Sequence, residues 1–453
     1  MLLVVNALLI PVAASGPDVI EGGWMLVGDD GRIVSTGSGT PPVVAADILD
    51  AAGAFVAPGF VSAHSHLFTS GLRGLGVDQT LYGWCDSMLG FTAHCSPEDL
   101  YWSTLHGSLD FLANGVTTAF DFTDPRLSWV AMVNGERAGV GEMRPLEYLT
   151  RQADAKADAG IRYLNAVGMD ATVGSDEEIF ERLAAAFAHD DAADQDLRLG
   201  SAIFGAVQWS PRRDTAELEV EAMRRFGVIN EAHFLETREE VELQRTKFEW
   251  YAEAGALGPS LVFGHFIQTT PEIIDRAADA GTGMSWQPAS NGRLASGIAD
   301  IPRMRERGMT IGVGLDDQAC TDVSDPWQNM RIGIYAQRAA TGDPLSMMPR
   351  DMLRMHTLGS AEVLGVADRV GSLEPGKFAD FVVVDPRSPD LGPLWHPLDS
   401  YVLASSLRNL KAVYVGGVRQ HDGVASTNPL AAEASAKLHE RLPRIAAQHG
   451  WPA

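Results

Sequence analysis

Short apolar segments alternate with amphipathic ones through most of this chain, from about residue 58 to residue 365. The apolar segments have the length of buried strands, and the amphipathic ones carry helix start and stop signals. In the first helix we expect Ser96 at the N-cap, Pro97 in the first turn and Gly115 at the end. We expect the helix after the fifth strand to begin at Thr237. The eight strand candidates are residues 59–64, 115–122, 162–168, 199–207, 227–234, 261–266, 281–288 and 309–317. Eight such repeats predict an α/β fold, the closed (β/α)8 or TIM barrel.

Both ends of the chain have the pattern of a small β-structure. Residues 1–57 and the region after residue 366 alternate apolar residues with Gly, Asp and Pro turns, and Asp29-Asp30-Gly31 is a hairpin signal. A length of 453 residues admits three domains, or one barrel with a smaller domain. The strand pattern favours the second arrangement. We predict a composite β-sandwich from 1–57 plus 366–425, a barrel over 58–365 and a C-terminal helix over 426–453.

The N-terminal segment admits two interpretations. MLLVVNALLIPVAASG resembles the apolar part of a signal peptide, but no Lys or Arg precedes Arg32, so the basic part is missing. We favour a buried first strand. No later stretch reaches the ~18 uninterrupted apolar residues of a transmembrane helix. Cys85, Cys95 and Cys320 are too few and too scattered for a disulfide framework, and they predict buried, reduced thiols in a cytoplasmic protein.

The charge of the chain excludes some classes of partner. Asp and Glu number 59 against 35 Lys and Arg, which gives a formal net charge of −24. Such a surface repels phosphate backbones and anionic membranes, and the sequence has no local basic stripe to offset it. We therefore predict a small-molecule substrate, with no nucleic-acid partner and no membrane partner.

Four of the predicted strands end in residues of the types that can bind metal ions. The first strand ends in His64-Ser65-His66, and residues i and i+2 of a strand point the same way, so both imidazoles can reach one ion. The other candidates are His233 and Glu236 after strand 5, His265 on strand 6 and Asp316 after strand 8. In a TIM barrel all these ends lie at the rim that holds the active site. Three imidazoles and a carboxylate suit Zn²⁺ or Fe²⁺, which lower the pKa of a bound water toward ~7.

Several segments of the chain resemble one known family. PGFVSAHSHLFTSGLRG resembles the first-strand motif of the amidohydrolase superfamily, and SPEDLYWSTLHGSLDFLANGVTT resembles its first long helix with the second strand. PASNGRLASG resembles its loop after strand 7, and EPGKFADFVVVD resembles the strand that returns to its sandwich. More narrowly, these segments resemble the branch that contains cytosine deaminase, adenosylhomocysteine deaminase and the triazine (atrazine-type) hydrolases. The resemblance covers most of the chain.

The resemblance implies a role for each residue at the strand ends. The implied metal ligands are His64, His66, His233 and Asp316. The resemblance also implies that Asp316 acts as a base, which takes a proton from the attacking water. Glu236 is the implied catalytic acid, which protonates the nitrogen next to the attacked carbon. His265 is the implied catalytic hydrogen-bond donor to the developing oxyanion or to the hydroxide, near the metal rather than a full ligand of it.

The distribution of lysines bears on the number of metal ions. Two-metal members of the resembled superfamily commonly bridge their ions with a carboxylated lysine at the end of strand 4. Residues 157–246 contain no lysine, and strand 4 offers Gln208 and Trp209 instead. We therefore predict one divalent ion, with Zn²⁺ favoured and Fe²⁺ as the alternative. A second ion held by another bridge stays open.

Three segments depart from the pattern of the resembled branch. They are Trp286-Gln287-Pro288 after strand 7, Gly-Leu-Asp-Asp at strand 8 and Gly264-His265 on strand 6. These changes keep the metal ligands that the resemblance implies, but they alter the substrate pocket that it implies. We predict a metal-dependent hydrolase that deaminates an amino-substituted N-heterocycle of purine, pyrimidine, pterin or triazine type. The alternatives are a hydrolase of a urea, amide or carbamate C–N bond, a triazine dechlorinase or dealkylaminase, and a non-catalytic scaffold.

A few further residues carry weaker expectations. Trp84 follows the first strand, where the branch places an aromatic residue against the substrate, and ordinary core packing is an equal alternative. Arg73 is predicted to pair with a carboxylate at the barrel rim. Cys320 lies four residues past Asp316 and is a candidate for the pocket wall. Barrels of this family often pair, so we predict a homo-oligomer, either a dimer or a tetramer.

Overall fold

The computed structural model describes residues 1–42 and 47–451. The strands in chain order are β1 (Leu2–Leu9), β2 (Ile20–Val27), β3 (Ile33–Ser38), β4 (Asp47–Asp50), β5 (Phe55–Pro58), β6 (Phe60–Ser65), β7 (Val116–Phe122), β8 (Met132–Val133), β9 (Glu136–Arg137), β10 (Arg162–Gly168), β11 (Arg198–Gly205), β12 (Ile229–Phe234), β13 (Leu261–His265), β14 (Gly283–Trp286), β15 (Ile311–Val313), β16 (Phe381–Val384), β17 (Leu410–Val415) and β18 (Val418–His421).

The α-helices in chain order are α1 (Leu81–Thr92), α2 (Pro97–Ala113), α3 (Glu147–Ala159), α4 (Asp176–Asp191), α5 (Thr215–Phe226), α6 (Val241–Thr246), α7 (Phe248–Ala254), α8 (Pro271–Asp279), α9 (Pro288–Arg293), α10 (Ile301–Glu306), α11 (Gln318–Thr321), α12 (Pro326–Thr341), α13 (Pro349–Arg354), α14 (Ser360–Val363), α15 (Pro397–Leu403) and α16 (Ala431–His449). Short 3-10 segments lie at Leu67–Leu72, Val207–Trp209 and Leu407–Asn409, and a π-helical turn at Met355–Gly359. No helix within the described ranges is both long and apolar enough to span a membrane.

Eight parallel strands form the predicted barrel. Their order is β6-β7-β10-β11-β12-β13-β14-β15, and each overlaps one of the eight segments predicted from the sequence. The first and last strands meet where the Asp316 backbone N–H donates to the His64 carbonyl oxygen at 3.0 Å. Every residue of β6 and β7 is buried, as expected for strands covered on both faces. The TIM barrel is therefore confirmed.

The helices begin and end at local signals, one of which misled the prediction. The Ser96 side chain caps α2 by accepting from the Asp99 backbone N–H, and Gly115 follows the helix with a left-handed φ of 89°. The predicted start at Thr237 is wrong, because the helix begins at Val241 after Glu240, which has a φ of 50°. The Thr237 hydroxyl instead accepts from the Glu239 backbone N–H at 3.2 Å within the loop.

Both chain ends contribute to one eight-stranded sheet. Its order is β18-β17-β16-β5-β1-β2-β3, with β4 beside β1. The N-terminal segment forms the inner strand β1, as the favoured interpretation predicted. The two ends join where β5 pairs antiparallel with β16 in the register Pro58 to Phe381. The composite β-structure is thus confirmed, while the exact domain boundaries stay a prediction.

Buried and half-buried ion pairs attach the sheet and the last helix to the barrel. Arg162, on the third barrel strand, donates to both carboxylate oxygens of Asp380 at 2.7 and 3.0 Å. The Gly416 backbone N–H donates to the same carboxylate at 2.7 Å. Arg441 of α16 donates to Asp99 of α2 at 2.5 Å. These contacts hold the sheet and the last helix against the barrel.

Candidate metal centre and active site

Three of the site strands end in left-handed turns. Leu235, His265 and Asp316 have φ values of 53°, 67° and 62°. This conformation costs a non-glycine residue about 1–2 kcal/mol, so the surrounding contacts must hold it. The turns lie at the same rim of the barrel, at the ends of β12, β13 and β15. They bring His265 and Asp316 close to the histidines of the first strand.

The four predicted metal ligands converge on one point. The Nε2 atom of His66 lies 3.1 Å from that of His233 and 3.4 Å from that of His64. The Oδ1 atom of Asp316 lies 3.5 Å from His64 Nε2 and 3.7 Å from His66 Nε2. All four side chains are buried. The structure therefore brings together the complete ligand set that the resemblance implied.

The geometry and chemistry of this cluster fit a divalent cation. Donors about 2.1 Å from a tetrahedral Zn²⁺ are about 3.4 Å apart, close to the separations observed. Burial lowers the pKa of His64 and His66 well below the usual value, and that of His233 to about 3. Neutral imidazoles are the form that binds metal ions. Lone pairs that face one another in a buried space require a cation between them.

A second carboxylate orients the first ligand. Glu231 Oε1 lies 2.6 Å from Nδ1 of His64, and this hydrogen bond turns Nε2 of the imidazole toward the cluster. Burial raises the pKa of Glu231 well above its usual value. Glu231 was not predicted as a site residue. Its position two residues before His233 on one strand was the available signal, because such residues share a face.

Glu236 and His265 lie beside the cluster. His265 Nε2 is 3.6 Å from Glu236 Oε1 and 3.9 Å from Asp316 Oδ2. The amide of Asn291 donates to His265 Nδ1 at 2.9 Å, which leaves the proton of the neutral imidazole on Nε2. Glu236 Oε2 and His265 Nε2 are both buried without a hydrogen-bond partner. Both groups are therefore free to contact a reacting molecule.

One of the unusual segments has a structural role in this site. The Gln287 side chain accepts from the His265 backbone N–H at 2.9 Å and donates to the Ser285 hydroxyl at 2.7 Å. Because His265 has a strained left-handed backbone, this hydrogen bond helps to hold it in place. The unusual segment after β14 thus supports the turn at the end of β13, and Gln287 itself does not line the cavity.

A small cavity of about 60 Å³ opens next to the cluster. Trp84 lines it and is 6% exposed, and its indole N–H is buried without a partner. Cys320 lines the wall as predicted, and so does Cys85. All three cysteines are free and buried, which confirms that prediction, and burial raises the pKa of each thiol. The lining also includes His66, His233, Glu236, His265 and Asp316.

Two further predictions concern the pairing of Arg73 and the absence of a bridging lysine. Arg73 donates to Asp110 at 2.6 Å, so the predicted pairing with a carboxylate is confirmed. Lys247, from the junction of α6 and α7, donates to the backbone carbonyls of Gln208 and Ser210 at 2.9 and 2.8 Å. No lysine among residues 1–42 and 47–451 lines the catalytic cavity.

Comparisons with known proteins agree on one family. The amidohydrolase family model matches residues 55–419. A 5-methylthioadenosine/S-adenosylhomocysteine deaminase of Symbiobacterium thermophilum is 30% identical over 396 residues, which cover 83% of each chain. A 5′-deoxyadenosine deaminase of Methanothermobacter thermautotrophicus is 26% identical, over 90% of this chain and 92% of that protein.

Solved structures share the fold. An adenosine deaminase from Xanthomonas campestris with bound zinc has a TM-score of 0.84 at 23% identity and covers 98% of both chains. An atrazine chlorohydrolase from Arthrobacter aurescens, complexed with zinc, has a TM-score of 0.84 at 20% identity and covers 98% of this chain and 100% of that one. The family match includes all four residues of the metal-binding cluster. With this site in this barrel, the chain belongs to the amidohydrolase family, which confirms the predicted class of hydrolase.

Proposed function

We propose that this amidohydrolase deaminates an amino-substituted N-heterocycle and releases ammonia. The observation that carries the proposal is one buried site that combines a cation-binding cluster with a free carboxyl, Glu236, and a free imidazole N–H, His265. Purine-nucleoside deaminases among the relatives support the same reaction. The purine type is accordingly the first substrate class to test.

One divalent ion, Zn²⁺ in our proposal, fits the cluster. The ligands would be His64, His66, His233 and Asp316. Such an ion lowers the pKa of a water molecule to about 7 and so supplies a hydroxide-like nucleophile at neutral pH. The lysine-free lining supports a single ion rather than a lysine-bridged pair.

The remaining chemistry belongs to residues of the chain. Glu236 holds a proton, since burial raises the pKa of its carboxyl well above the usual value, and it protonates the ring nitrogen beside the amino-bearing carbon. That step makes the carbon more electrophilic. Asp316 takes a proton from the attacking water and returns it to the departing amine. His265 donates from Nε2 to the new oxygen. A C–O bond forms and the C–N bond breaks. The proton left on the new oxygen returns to Glu236, so the products are ammonia and an oxo-heterocycle that keeps a proton on its ring nitrogen.

Aromatic side chains give the cavity flat walls. Trp84, Trp129 and Trp209 all line it, together with Phe68 and Phe204. Flat rings stack on such walls with offset or edge geometry, and each pair contributes about 0.5–1.5 kcal/mol beyond the buried area. We therefore propose Trp84 as a substrate-binding residue. A planar heterocycle fits this lining better than a flexible amide.

The test is a substrate screen with zinc-loaded protein. Aminopurines and their nucleosides, aminopyrimidines, pterins, triazines and arylureas are incubated with the enzyme, and ammonia and substrate absorbance are followed together. We expect ammonia from at least one amino-heterocycle, and its loss in Glu236→Gln but not in the exposed control Glu242→Gln. Cleavage of an arylurea without deamination of any heterocycle, or dechlorination alone, would contradict the proposal.

Two broader expectations are untested by the site. A cytoplasmic location and a homo-oligomer, dimer or tetramer, stay predictions. Sedimentation of the purified full chain measures the second one directly.

A further inference from the structure

A second, larger cavity adjoins the catalytic one. Its volume is about 310 Å³, against about 60 Å³ for the cavity beside the metal-binding cluster. The two cavities share four wall residues, which are Pro125, Arg137, Phe204 and Trp209. Small-molecule sites usually measure about 300–1,000 Å³, so the catalytic cavity alone is small for its task. The larger cavity, which we call the outer chamber, offers room for the rest of a substrate.

Arg137 stands at the boundary of the two cavities without a partner. It ends the short strand β9 and lines both spaces. Its Nε is shielded from solvent and has no hydrogen-bond partner. Its guanidinium forms no hydrogen bond and no ion pair with any residue of the described chain, and its nearest aromatic contact is Trp129, with 5.6 Å from guanidinium carbon to ring centroid.

Other shielded arginines of this protein are paired. Arg144 donates to Asp124 at 2.8 Å, and Arg162 donates to Asp380 at 2.7 Å. A buried guanidinium nitrogen is stabilised by such a partner, and Nε of Arg137 has none. Burial accordingly lowers the pKa of Arg137 from its usual value. The missing partner of Arg137 is therefore expected to come with a ligand.

A carboxylate in the outer chamber restricts what that ligand is. Asp170 lines the chamber and accepts from the Leu127 backbone N–H at 3.3 Å, but it does not pair with Arg137. Burial raises the pKa of Asp170 to about 6, so the group is mostly charged at neutral pH. Arg137 and Asp170 carry opposite charges and line the same cavity without contact. This arrangement suits a ligand that directs an acceptor oxygen toward Arg137. A neighbouring N–H on the ligand would also satisfy Asp170.

We propose that Arg137 is a specificity-determining residue that binds an acceptor oxygen, carbonyl or carboxylate, at the end of the substrate remote from its amino group. The inference rests on the proposed function for the orientation of the substrate, with the amino end at the metal-binding cluster. The remote end occupies the outer chamber. Substrates of this class are amino-heterocycles that bear an oxo or carboxylate substituent.

The test compares binding within matched pairs of compounds. Adenine is paired with 8-oxoadenine, and pterin with pterin-6-carboxylate; each second member adds an oxygen group remote from the amino group. Affinities are measured by equilibrium dialysis with the zinc-loaded Glu236→Gln enzyme, in which the proposed turnover is blocked. We expect the oxygen-bearing member of at least one pair to bind about 10- to 100-fold more tightly, the range for a charge-assisted hydrogen bond. Preference for 8-oxoadenine identifies a carbonyl, and preference for pterin-6-carboxylate identifies a carboxylate; either supports the proposal.

Variants connect that preference to one side chain. Arg137→Met should abolish the preference, and Arg137→Lys should retain part of it. The matched control is Arg224→Met, since Arg224 is exposed, lines neither cavity and is already paired with Glu221 at 2.9 and 2.6 Å. This substitution should leave the affinity ratio within each pair unchanged. Equal affinity within both pairs, or a preference that survives in Arg137→Met, would overturn the proposal.

The melting temperature separates recognition from a structural role. A guanidinium kept for a ligand should cost stability, so ligand-free Arg137→Met should melt at or above the wild-type temperature. A clearly lower melting temperature would assign Arg137 to the fold and contradict the inference. If Arg137→Met does not fold, that result counts against the proposal in the same way.

Failure of this inference differs from failure of the deaminase proposal, because dialysis needs no turnover. An Arg137-dependent preference without ammonia release from any compound leaves the inference standing and defeats the deaminase. If ammonia is released but neither the remote oxygen nor Arg137→Met changes binding, the deaminase proposal stands and the inference about Arg137 fails.

Discussion

Two buried polar clusters lie in the same barrel and differ in how their atoms are matched. In the first, Lys156 donates to Asp121 and to Asn165 at 2.6 Å each, and Asn165 donates on to Asp190 at 2.9 Å. In the metal-binding cluster, acceptor atoms face other acceptor atoms at 3.1–3.5 Å. The first cluster is complete as it stands. The second becomes complete only with a cation, so mismatch within a buried cluster is the mark of a binding site.

The largest expected effect comes from removing a ligand of the mismatched cluster. His66→Ala should lower kcat by about 10³-fold or more, because metal assistance supplies several kcal/mol in the transition state. Metal content, measured by plasma emission spectrometry, should fall with it. The metal-free variant should melt no lower than the metal-free wild type, because the substitution removes one of the facing acceptors.

The matched control is His439→Ala on the exposed face of α16, which should keep full metal content. A His66→Ala enzyme with unchanged metal and unchanged kcat would contradict the ligand assignment.

The matched cluster should respond in the opposite way. Lys156→Met leaves the buried Asp121 without its cation and should lower the free energy of unfolding by about 3–5 kcal/mol. Urea unfolding followed by tryptophan fluorescence measures the change. The same substitution at the partly exposed Lys437, whose partner Glu440 is 3.5 Å away, should cost less than about 1 kcal/mol. Equal effects at the two lysines would remove the distinction between the clusters.

Glu219 tests a third arrangement, a buried carboxylate matched only by neutral donors. It accepts from the Ala206 backbone N–H at 2.6 Å and from the Asn230 amide at 2.7 Å. Burial raises its pKa from 4.5 to about 7. Between these values the unfolded chain has lost the proton and the folded chain keeps it, so stability falls as pH rises, by about 3 kcal/mol in all.

The measurement compares unfolding free energies at pH 5 and pH 7.5. Glu219→Gln should remove this part of the pH dependence, whereas Glu217→Gln, on the exposed face of the same helix, should keep it. Identical pH profiles for wild type and Glu219→Gln would show that burial does not shift this carboxyl.

The smallest expected effect concerns the residue that orients a ligand. Glu231→Gln should weaken metal binding by about 10- to 100-fold, measured by competition with a chromophoric chelator, because His64 loses the partner of its Nδ1. The exposed Glu242→Gln serves as the control of equal chemistry. An unchanged metal affinity in Glu231→Gln would place this carboxylate outside the function of the site.

The barrel and the meeting of its strand-end residues were predictable because each rests on local patterns, while the role of each of these residues was implied by the family resemblance. Buried strands are continuous apolar segments, and the residue types at their ends need no tertiary information to be placed at one rim. Glu231 was within reach for the same reason, through its spacing from His233. The wrong start at Thr237 has a local cause too: Glu240 has a left-handed backbone, which the sequence does not reveal.

The outer chamber was not predictable from these patterns. Arg137 sits in a hairpin between the second barrel strand and α3, and Asp170 follows β10, so only the tertiary fold brings them to one cavity. The orientation of His265 by Asn291 and Gln287 is equally nonlocal. Loops that carry substrate contacts have no periodicity, and their side chains meet partners far away in the sequence.

The pairing of β5 with β16 has a consequence for biosynthesis. Its partners Pro58 and Phe381 are 323 positions apart, so the ribosome must complete the whole barrel before this ladder can close. At about 5–20 residues per second the delay is on the order of 15–65 s. During that time the edge of β5 that will receive β16 is an unpaired strand edge, the kind of surface that promotes association between nascent chains. We expect chains truncated before residue 381 to need chaperones, because this edge of β5 stays unpaired in them.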